Sequence, residues 1–552
     1  MKTRITVLLC FCFLSIHAQR TIGLFENDSL AFNGYTLWSP NKSTYLIDNC
    51  GMLINKWDSA YKPGLSVYLL ENGNLLRTGG LSGAFNGAGR GGIIEEFNWD
   101  GELLWSYEVA SSEFHQHHDI EPMPNGNILV IAWEKKNSAE ARQAGASRNV
   151  AYWPEVIFEL KKLPDNNAEV VWEWHAWDHL IQDHDSTEAN FGVVADHPEL
   201  FDINYRQPSG GSNGDWLHFN SVFYDEDRDE IILSARNFNE IYIIDHSTTT
   251  QEAAGHTGGQ HGKGGDILYR WGNPEAFKRG TINDRQLFGQ HDARIIPEGH
   301  FYEGYISIYN NGAGRPGSNF STVDVIEPPM DNNGYYIMDQ DSTFGPEISS
   351  WQYKAPTPTD FYSNNMAGAQ PLTNGNFLIC EANKGNFFEV TLGGGIVWQY
   401  KNPVANAGPL TQGTTLSALN TLSVFRVHRY APDYPGLADK DLSPGDPIEL
   451  EPIESDCRIF GDLTSLDIEI TEFNLDIDII QTSNGLILRK SESATLNAEM
   501  IDLSGRLLSN QEFDSNELYI NTASLSSSIY LLQLTDYSSG AKKTYKVFIG
   551  RN

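Results

Sequence analysis

The strongest constraint on the fold is a loose repeat that recurs six times between Gly34 and Tyr430. Each unit opens with a turn of the Asn-Gly-Asn kind, continues through short apolar strands and closes on a strand with a tryptophan. The openings are 71–76, 124–129, 229–233, 297–299 and 373–377, and the closing residues are Trp105, Trp172, Trp271, Trp351 and Trp398. A first unit, from Gly34 to Trp57, has the same body without the opening turn.

Units of about 40 residues or more, made mostly of strands, are typical of propeller blades. Aromatic residues make up 12% of the chain, which also favours short strands over helices. We therefore predict an all-β fold, a six-bladed β-propeller followed by a small C-terminal β-sandwich; a stack of β-sandwiches is the alternative. Because the first unit lacks its leading strand, we expect residues 420–427 to supply that strand and close the ring.

The ends of the chain predict further segments. Residues 1–18 have two early cations, an apolar run and a small residue at Ala18, which is the pattern of a signal peptide. We assign 19–437 to the propeller, 438–474 to an acidic, proline-containing linker and 475–552 to the sandwich. The acidic stretch 431–457 is expected to be extended and self-repelling. The mature chain retains Cys50, Cys380 and Cys457; this odd number implies no disulfide framework, and any pairing stays open.

The formal net charge of −34 disfavours two classes of partner, nucleic acids and anionic membrane surfaces. No segment after the leader is apolar enough to span a membrane.

Histidines recur at one position of the repeat. Aligned on the opening turns, His118 lies over His291 without a gap, and His218 stands at the corresponding place of the unit between them. The same position holds Leu65 and Ala367 in two other units, so the histidine is not a general requirement of the fold. Equivalent positions of different blades surround one axis, so we expect the three imidazoles to face each other. Two alternatives are histidines that only tie blades together and a three-histidine zinc site.

Arg236 ends the strand that follows His218. A buried guanidinium is costly unless it meets an anion, and its planar fork suits a tetrahedral oxyanion. It would also repel a metal cation, so we predict no metal; a salt bridge to a neighbouring acid is the alternative role for Arg236.

Three motifs, "HHDIEPMPNGNILV", "DWLHFNSVFYDEDRDEIILSARN" and "GQHDARIIPEGH", occur in this order on the six units. Over 34–437 the chain resembles the bacterial arylsulfate sulfotransferases. The resemblance implies sulfuryl transfer from a phenolic sulfate ester to a phenol, with no cofactor, through a transiently sulfated histidine. By motif that histidine is His291, with His218, Arg236 and the His117–His118 pair around it.

We further expect Asp292 to hold the ring of His291 in the reactive tautomer, as carboxylates do for catalytic histidines. The sequence does not separate the roles of His117 and His118. No phosphate-binding glycine loop is present, so a nucleotide sulfate donor is not expected. The chain differs from some members of the family because it lacks their N-terminal sandwich domain and a cysteine pair near the nucleophile.

The last part of the chain contains "DLSGRLL", "SLSSSIYLLQL" and a lysine-rich final strand. These residues resemble the C-terminal sorting domain of type IX secretion substrates in Bacteroidetes. The resemblance implies the type IX machinery as a partner and a secreted or cell-surface location after export through the periplasm.

Other functions remain as alternatives. One is a non-catalytic secreted propeller that binds a glycan or a protein, and another is a metal- or quinone-dependent propeller enzyme. The Trp-ended strands "GELLWSY" and "GIVWQY" echo quinone-dependent dehydrogenases, but those enzymes usually have eight units and carboxylate-bound calcium. A further cluster, which is expected either to line an aryl pocket or to pack the outside of a blade, comprises Trp174, His175, Trp177, Asp178, His179, His184 and Asp185.

Overall fold

The structure, a computed structural model, describes residues 20–209, 213–338, 342–416, 422–460, 477–482, 485–490, 494–501, 506–523, 525, 528–537 and 542–549. The signal peptide expected at 1–18 lies outside these residues. The described chain is all-β, with antiparallel sheets as its main elements. No helix in the described ranges is long and apolar enough to cross a membrane.

The N-terminal half forms its sheets largely in chain order. The strands are β1 (Gly23–Asn27), β2 (Tyr35–Trp38), β3 (Ser43–Ile47), β4 (Leu53–Asp58), β5 (Pro63–Leu69), β6 (Leu75–Gly80), β7 (Gly92–Phe97), β8 (Leu103–Glu108), β9 (Phe114–Pro122), β10 (Ile128–Glu134), β11 (Glu155–Leu163), β12 (Asn167–His175), β13 (Leu180–Ile181) and β14 (Phe201–Asp202). Helix α1 (Ser138–Gln143) precedes β11. Strands β2–β4 belong to sheet 1, β5–β8 form sheet 2 and β9–β12 form sheet 3, while β13 and β14 pair with each other.

The following segment continues the pattern. Its strands are β15 (Phe219–Asp225), β16 (Glu230–Ala235), β17 (Glu240–Asp245), β18 (Tyr269–Trp271), β19 (His291–Ile295), β20 (Ile306–Asn310), β21 (Thr322–Ile326), β22 (Trp351–Tyr353), β23 (Gly368–Pro371), β24 (Phe377–Glu381), β25 (Asn386–Val390), β26 (Ile396–Lys401), β27 (Val404–Ala405), β28 (Gly408–Pro409) and β29 (His428–Tyr430). Helix α2 (Thr250–Ala253) lies between β17 and β18. Strands β15–β18 form sheet 4, β19–β22 form sheet 5, and β23–β26 with β1 form sheet 6, while β27 and β28 pair with each other.

Burial explains the composition of these strands. Middle strands such as β10 and β16 are buried along their whole length, so they contain nearly continuous apolar runs. Some fourth strands are partly exposed; β8, for example, buries Trp105 while Leu103 and Leu104 stay exposed.

The repeated tryptophans all lie in the fourth strand of a sheet, as the repeat predicted. Each indole N–H donates to a residue in, or at the end of, the connection between the third and fourth strands of the next sheet. The pairs are Trp57 with Asn98 O (2.8 Å), Trp105 with Asn167 O (3.1 Å), Trp172 with Thr248 Oγ1 (3.2 Å), Trp271 with Pro346 O (2.8 Å), Trp351 with Leu392 O (2.9 Å) and Trp398 with Asn49 O (2.8 Å). Because Trp398 of sheet 6 returns to sheet 1, the six contacts form a closed cycle.

The strand that completes sheet 1 begins directly after the segment expected from the sequence. Strand β29, not 420–427, pairs with β2, with Tyr430 opposite Tyr35. Residues 424–427 instead run inward, where Ala367 N donates to Phe425 O. Residues 420 and 421 of the expected segment lie outside the described residues. Sheet 6 also gains β1 as a fifth strand, which the sequence did not indicate.

The acidic segment that follows β29 differs from the extended linker expected for it. Leu53 and Gly445 are joined by a backbone hydrogen bond, and Ile448 is buried in the core shared by sheets 5, 6 and 1. A disulfide joins Cys50 to Cys457 across 407 residues of chain, while Cys380 is a buried free thiol. The segment is therefore attached to the sheets at least to Cys457, because backbone hydrogen bonds, apolar burial and a covalent bond outweigh repulsion between its acids.

The C-terminal segment contains further antiparallel strands: β30 (Ile477–Thr482), β31 (Gly485–Lys490), β32 (Leu496–Ile501), β33 (Leu507–Phe513), β34 (Glu517–Asn521), β35 (Ser528–Asp536) and β36 (Lys542–Ile549). They form one sheet of β30, β31 and β34 and one of β33, β32, β35 and β36. Both sheets contribute to one apolar core that includes Leu488, Ile520, Leu496 and Leu532. The turn residues 502–505 of the "DLSGRLL" motif lie outside the described residues.

Candidate active site

Cross-sheet hydrogen bonds give the true register of the histidine-bearing strands. In three pairs of neighbouring sheets, a side chain in the first strand of one sheet accepts a backbone N–H from the first strand of the next sheet. The pairs are Asp119 with Val222 N (3.3 Å), Ser221 with Ala293 N (3.1 Å) and Asp292 with Ala369 N (2.8 Å). The residues just before the acceptors are His118, Asn220 and His291, so these three are structurally equivalent. The sequence alignment was wrong for His218, which lies two residues before Asn220 and directly before β15.

The displaced His218 nevertheless reaches His118. Their ring centroids are 4.6 Å apart with the planes at 71°. Both residues have left-handed backbones, with φ of 51° at His118 and 60° at His218. The extra residues before β15 therefore direct His218 to the ring of its neighbour in sheet 3.

His117 and His118 have different surroundings. The Nδ1 atoms of the two rings are 2.9 Å apart, but His117 stacks on Trp133 at 4.0 Å and has no exposed surface. Burial lowers the pKa of both histidines well below the usual value. The structure thus places His118 against His218 and His117 behind it.

The ring of His291 is held in one tautomer. Its Nδ1 is 2.8 Å from Asn311 Oδ1 and 3.1 Å from Gly289 O. The amide nitrogen of Asn311 donates to Ser363 O and Met366 O, so its oxygen must be the atom that faces His291. Nδ1 therefore carries the hydrogen and Nε2 the lone pair, which accepts Met366 N–H at 3.1 Å.

Electrostatics keep His291 neutral. Burial and then the positive charge of Arg236 lower its pKa to about 3. The ring is 1% exposed. At neutral pH it is an uncharged imidazole with a directed lone pair.

Arg236 follows β16, and its backbone N–H donates to His218 O at 3.1 Å. Its charge contributes to the low pKa of both His118 and His291, so its side chain lies near both rings. Within the described residues no carboxylate lies within 4 Å of its guanidinium, and the alternative of a salt bridge is not observed. Burial lowers the pKa of Arg236 itself. We call His118, His218, His291 and Arg236 the central cluster.

Asp292 does not contact the ring of His291, so the orienting role expected for it was wrong. Its carboxylate accepts from Arg294 and Ala369 N and lies 3.3 Å from Arg426. Burial alone would raise its pKa, but Arg294 and Arg426 lower it to about 2. Asn311 takes the role that the sequence assigned to Asp292.

His218 has the carboxylate partner that His291 lacks. Asp215 Oδ2 lies 2.6 Å from His218 Nδ1, and its other oxygen accepts the indole N–H of Trp133 at 3.2 Å. Asp215 therefore orients the ring of His218, as a carboxylate does for a catalytic histidine.

Phe425 and Arg426 complete the centre, and sequence reasoning missed both. The ring of Phe425 lies 6.1 Å from that of His118 and 6.5 Å from that of His291. Buried Arg426 pairs with Asp119 at 2.8 Å and Asp292 at 3.3 Å, each next in sequence to a histidine of the cluster. The signal that could have found them is Arg426 itself, a charged residue within the apolar segment 420–427, for which the sequence predicts only ring closure.

The cluster around Trp174 and His179 lies away from the centre. Both side chains are buried between β12 and the loop that precedes β18, where Trp174 Nε1 donates to Gly265 O at 2.7 Å. Of its two proposed roles, this position fits packing at the edge of a sheet.

The chain has distant likenesses among solved structures. A protein of unknown function from Bacteroides caccae is 12% identical, with 72% of this chain and 100% of that chain covered and a TM-score of 0.37. PorZ, a surface component of the type IX secretion system of Porphyromonas gingivalis, is 12% identical, with 92% and 64% covered and a TM-score of 0.28. Hydrazine synthase of Kuenenia stuttgartiensis is 11% identical, with 52% and 66% covered and a TM-score of 0.29. Likenesses this low carry no argument about function.

No curated protein sequence matches the chain. The model of the arylsulfotransferase (ASST) family, in contrast, matches residues 19–407, which include every residue of the central cluster. The match spans well over half of the 552 residues, and the chain belongs to the arylsulfotransferase family.

Proposed function

We propose that this sulfotransferase moves a sulfuryl group from a phenolic sulfate ester to a phenol through a sulfohistidine on His291. The observation that carries the proposal is the state of His291. It is a neutral ring with its hydrogen on the Asn311 side, and it lies near Arg236, which forms no salt bridge with a carboxylate of the described residues. A nucleophile that is activated in this way needs no cofactor to attack an ester with a good leaving group.

In the first step the Nε2 lone pair attacks sulfur. The N–S bond forms, the bond between sulfur and the aryl oxygen breaks, and a phenolate leaves. Before the attack, the hydrogen bond from Met366 N–H to this lone pair must break. The backbone of Met366 is left-handed, with φ of 56°.

Arg236 is suited to the sulfuryl oxygens. A planar guanidinium offers paired donors to two oxygens of a tetrahedral group, and charge that develops there is stabilised most strongly in a dry site. His218, whose Nδ1–H donates to Asp215, and its neighbour His118 are the other polar side chains that we propose to surround the group.

In the second step the oxygen of an acceptor phenol attacks the same sulfur. The N–S bond breaks and His291 returns to its neutral form. The proton that the acceptor releases balances the one that the first phenolate takes up, so the cycle needs no other reactant.

We also propose that sheets 1 to 6 are the blades of one propeller within 19–437 and that 475–552 form a sandwich. The closed cycle of tryptophan hydrogen bonds and the pairing of β29 with β2 support the ring. The core shared by the two C-terminal sheets supports the sandwich. An experimental structure with a seventh sheet, or with β29 paired elsewhere, would contradict the ring.

Export is part of the proposal. We infer that residues 1–18 are a signal peptide and that 475–552 direct the protein through the type IX machinery to the medium or the cell surface. The Cys50–Cys457 disulfide supports an oxidising compartment. Deletion of 475–552 should leave activity intact and trap the protein in the periplasm; normal release of the truncated protein would refute the sorting role.

The reaction is tested by intact-protein mass spectrometry after exposure to nitrophenyl sulfate. We expect one added sulfuryl group per chain, a matching burst of nitrophenolate and loss of the label when a phenol is added. Peptide mapping should locate the label at His291. A label on His118 or His218 would overturn the roles but keep the reaction, whereas no label and no burst would favour the alternative of a non-catalytic binding protein.

A further inference from the structure

A second histidine cluster lies outside the centre. His179 follows the short helical turn Ala176–Asp178, whereas His256 and Asp266 belong to the loop between α2 and β18. The nearest ligand atoms of the three residues all lie within 4.8 Å of one another. We call these residues the peripheral cluster.

The protonation of His179 is constrained on one side. Its Nε2 lies 2.9 Å from Ala253 O, and a carbonyl oxygen only accepts, so Nε2 carries a hydrogen. In the neutral ring Nδ1 then holds a lone pair, and it faces Asp266 Oδ1 at 2.8 Å. His256 Nδ1 approaches the same oxygen at 2.8 Å. Lone pairs this close repel each other unless a proton or a cation lies between them.

The surroundings hold the ring of His179 independently of Asp266. The ring is fully buried and stacks on Trp174, with centroids 5.5 Å apart and planes at 7°. Gly265 passes so close that a Cβ there would meet both Ala253 O and the ring of His179. A histidine that donates its second N–H to a backbone carbonyl has the outer contact that metal-binding histidines usually make.

One side of the cluster is open. The side chain of His256 is 60% exposed, whereas that of Asp266 is 8% exposed. Two imidazoles and one carboxylate, with a remaining position for water, form a ligand set that suits zinc. In contrast to His291, which lies near Arg236, these rings lie beside a carboxylate.

We propose that His179 Nδ1, His256 Nδ1 and Asp266 bind a divalent metal ion, with zinc as the probe that tests it. The ion would occupy the space between the lone pairs and fasten the loop that holds His256 and Asp266 to the segment around His179. The proposal does not depend on sulfuryl transfer, since none of the three residues contacts the central cluster. The competing state is a protonated His179 paired with Asp266.

The test uses the full chain without a histidine tag, stripped of metal with a chelator and desalted. Zinc chloride is titrated by calorimetry, and bound zinc is counted by elemental analysis. His256→Ala is the informative variant because the residue is exposed and its loss does not threaten the fold. His197→Ala is the matched control: His197 is also well exposed and pairs with Glu199 outside the cluster.

We expect the parent and His197→Ala to bind one more equivalent of zinc than His256→Ala. Zinc should raise the melting temperature of the first two proteins more than that of the third. Any zinc held by the central histidines is common to all three and cancels in the comparison. Equal binding in the parent and His256→Ala would overturn the proposal and leave the ion pair of His179 with Asp266.

Discussion

The central and peripheral clusters each hold a buried imidazole with one nitrogen donating to an oxygen acceptor. In the centre that acceptor is Asn311 Oδ1 beside His291, and at the periphery it is Ala253 O beside His179. The neighbouring charge differs: Arg236 lies near His291, whereas Asp266 lies between the two peripheral rings. An imidazole lone pair beside a cation suits an anionic substrate, whereas one beside a carboxylate suits a metal.

The clusters also differ in their relation to the repeat. His118 and His291 occupy one position of the repeated first strand, so the symmetry of the sheets brings them together. The peripheral residues lie at the end of one sheet and in a loop inserted into the next. The repeat in the sequence therefore points to the central cluster, whereas it gives no indication of the peripheral cluster.

The largest effect is expected from His291→Asn. Loss of the nucleophile should lower turnover at least about 10³-fold and remove the sulfuryl label, since catalytic groups that act as a unit fail together. Initial rates with nitrophenyl sulfate and intact mass measure both effects. His197→Ala, far from the reaction, serves as the control and should behave as the parent. A labelled His291→Asn protein would exclude this histidine as the nucleophile.

The next largest effect concerns the charge that distinguishes the clusters. Arg236→Met should lower kcat by about 10²- to 10³-fold, the usual loss when one donor to a developing anion is removed. Arg236→Lys should bind donor with a similar KM but turn it over slowly, because a point charge replaces a planar fork. Steady-state kinetics separate the two constants. If the lysine variant matched the parent, paired hydrogen bonding to the sulfuryl group would be refuted.

A smaller effect is expected from Asp215→Asn. The change keeps the shape of the residue but removes the carboxylate that orients His218 at 2.6 Å. Outer partners of metal-binding histidines typically contribute about 10- to 100-fold, and we expect a loss of similar size in kcat for this orienting carboxylate. Labelling of His291 should persist at a lower rate in rapid-mixing experiments. Complete loss of labelling would assign His218 itself to the covalent step.

The smallest expected effect is on how the free energy of unfolding depends on pH. The folded pKa of His291, about 3, lies below the ordinary 6.5, so the unfolded chain binds the proton first. Its contribution to the free energy of unfolding is present above about pH 6.5 and is lost as the pH falls towards 3. Urea unfolding of the parent and His291→Asn at several pH values isolates this contribution.

His246 is expected to affect the pH dependence of stability in the opposite direction. Burial lowers its pKa, but hydrogen bonds with Glu159 and Asp229 raise it above the ordinary value overall. Its contribution is therefore present at low pH and lost as the pH rises through the folded pKa. His246→Gln should therefore reduce the decrease in the free energy of unfolding that occurs as the pH rises. Identical pH profiles for the two variants would show that neither histidine titrates as described.

Much of the scaffold follows from local patterns. Turn residues, apolar runs and recurrent tryptophans predict strands, and the six repeated tryptophans occupy fourth strands, from which their indoles bond to the next sheet. The site could be predicted only in part from the sequence. His118 and His291 could be aligned, but the two-residue displacement of His218 depends on where the strand bulges. Asn311 and Phe425 gave no signal, since their partners are distant in the sequence. Asp215 lies only three residues before His218, but the sequence does not show that its carboxylate meets the ring.

The sequence by itself determined the all-β character, the six repeated units and the residues of the central cluster, because strand periodicity and repetition are written in neighbouring residues. Only the tertiary structure decided which groups touch. It replaced Asp292 with Asn311 at His291, placed Phe425 and Arg426 at the centre and joined Cys50 to Cys457. The physical reason is that hydrogen bonds, ion pairs and disulfides form between atoms that folding brings within a few ångströms, and distance along the chain contains no record of that proximity.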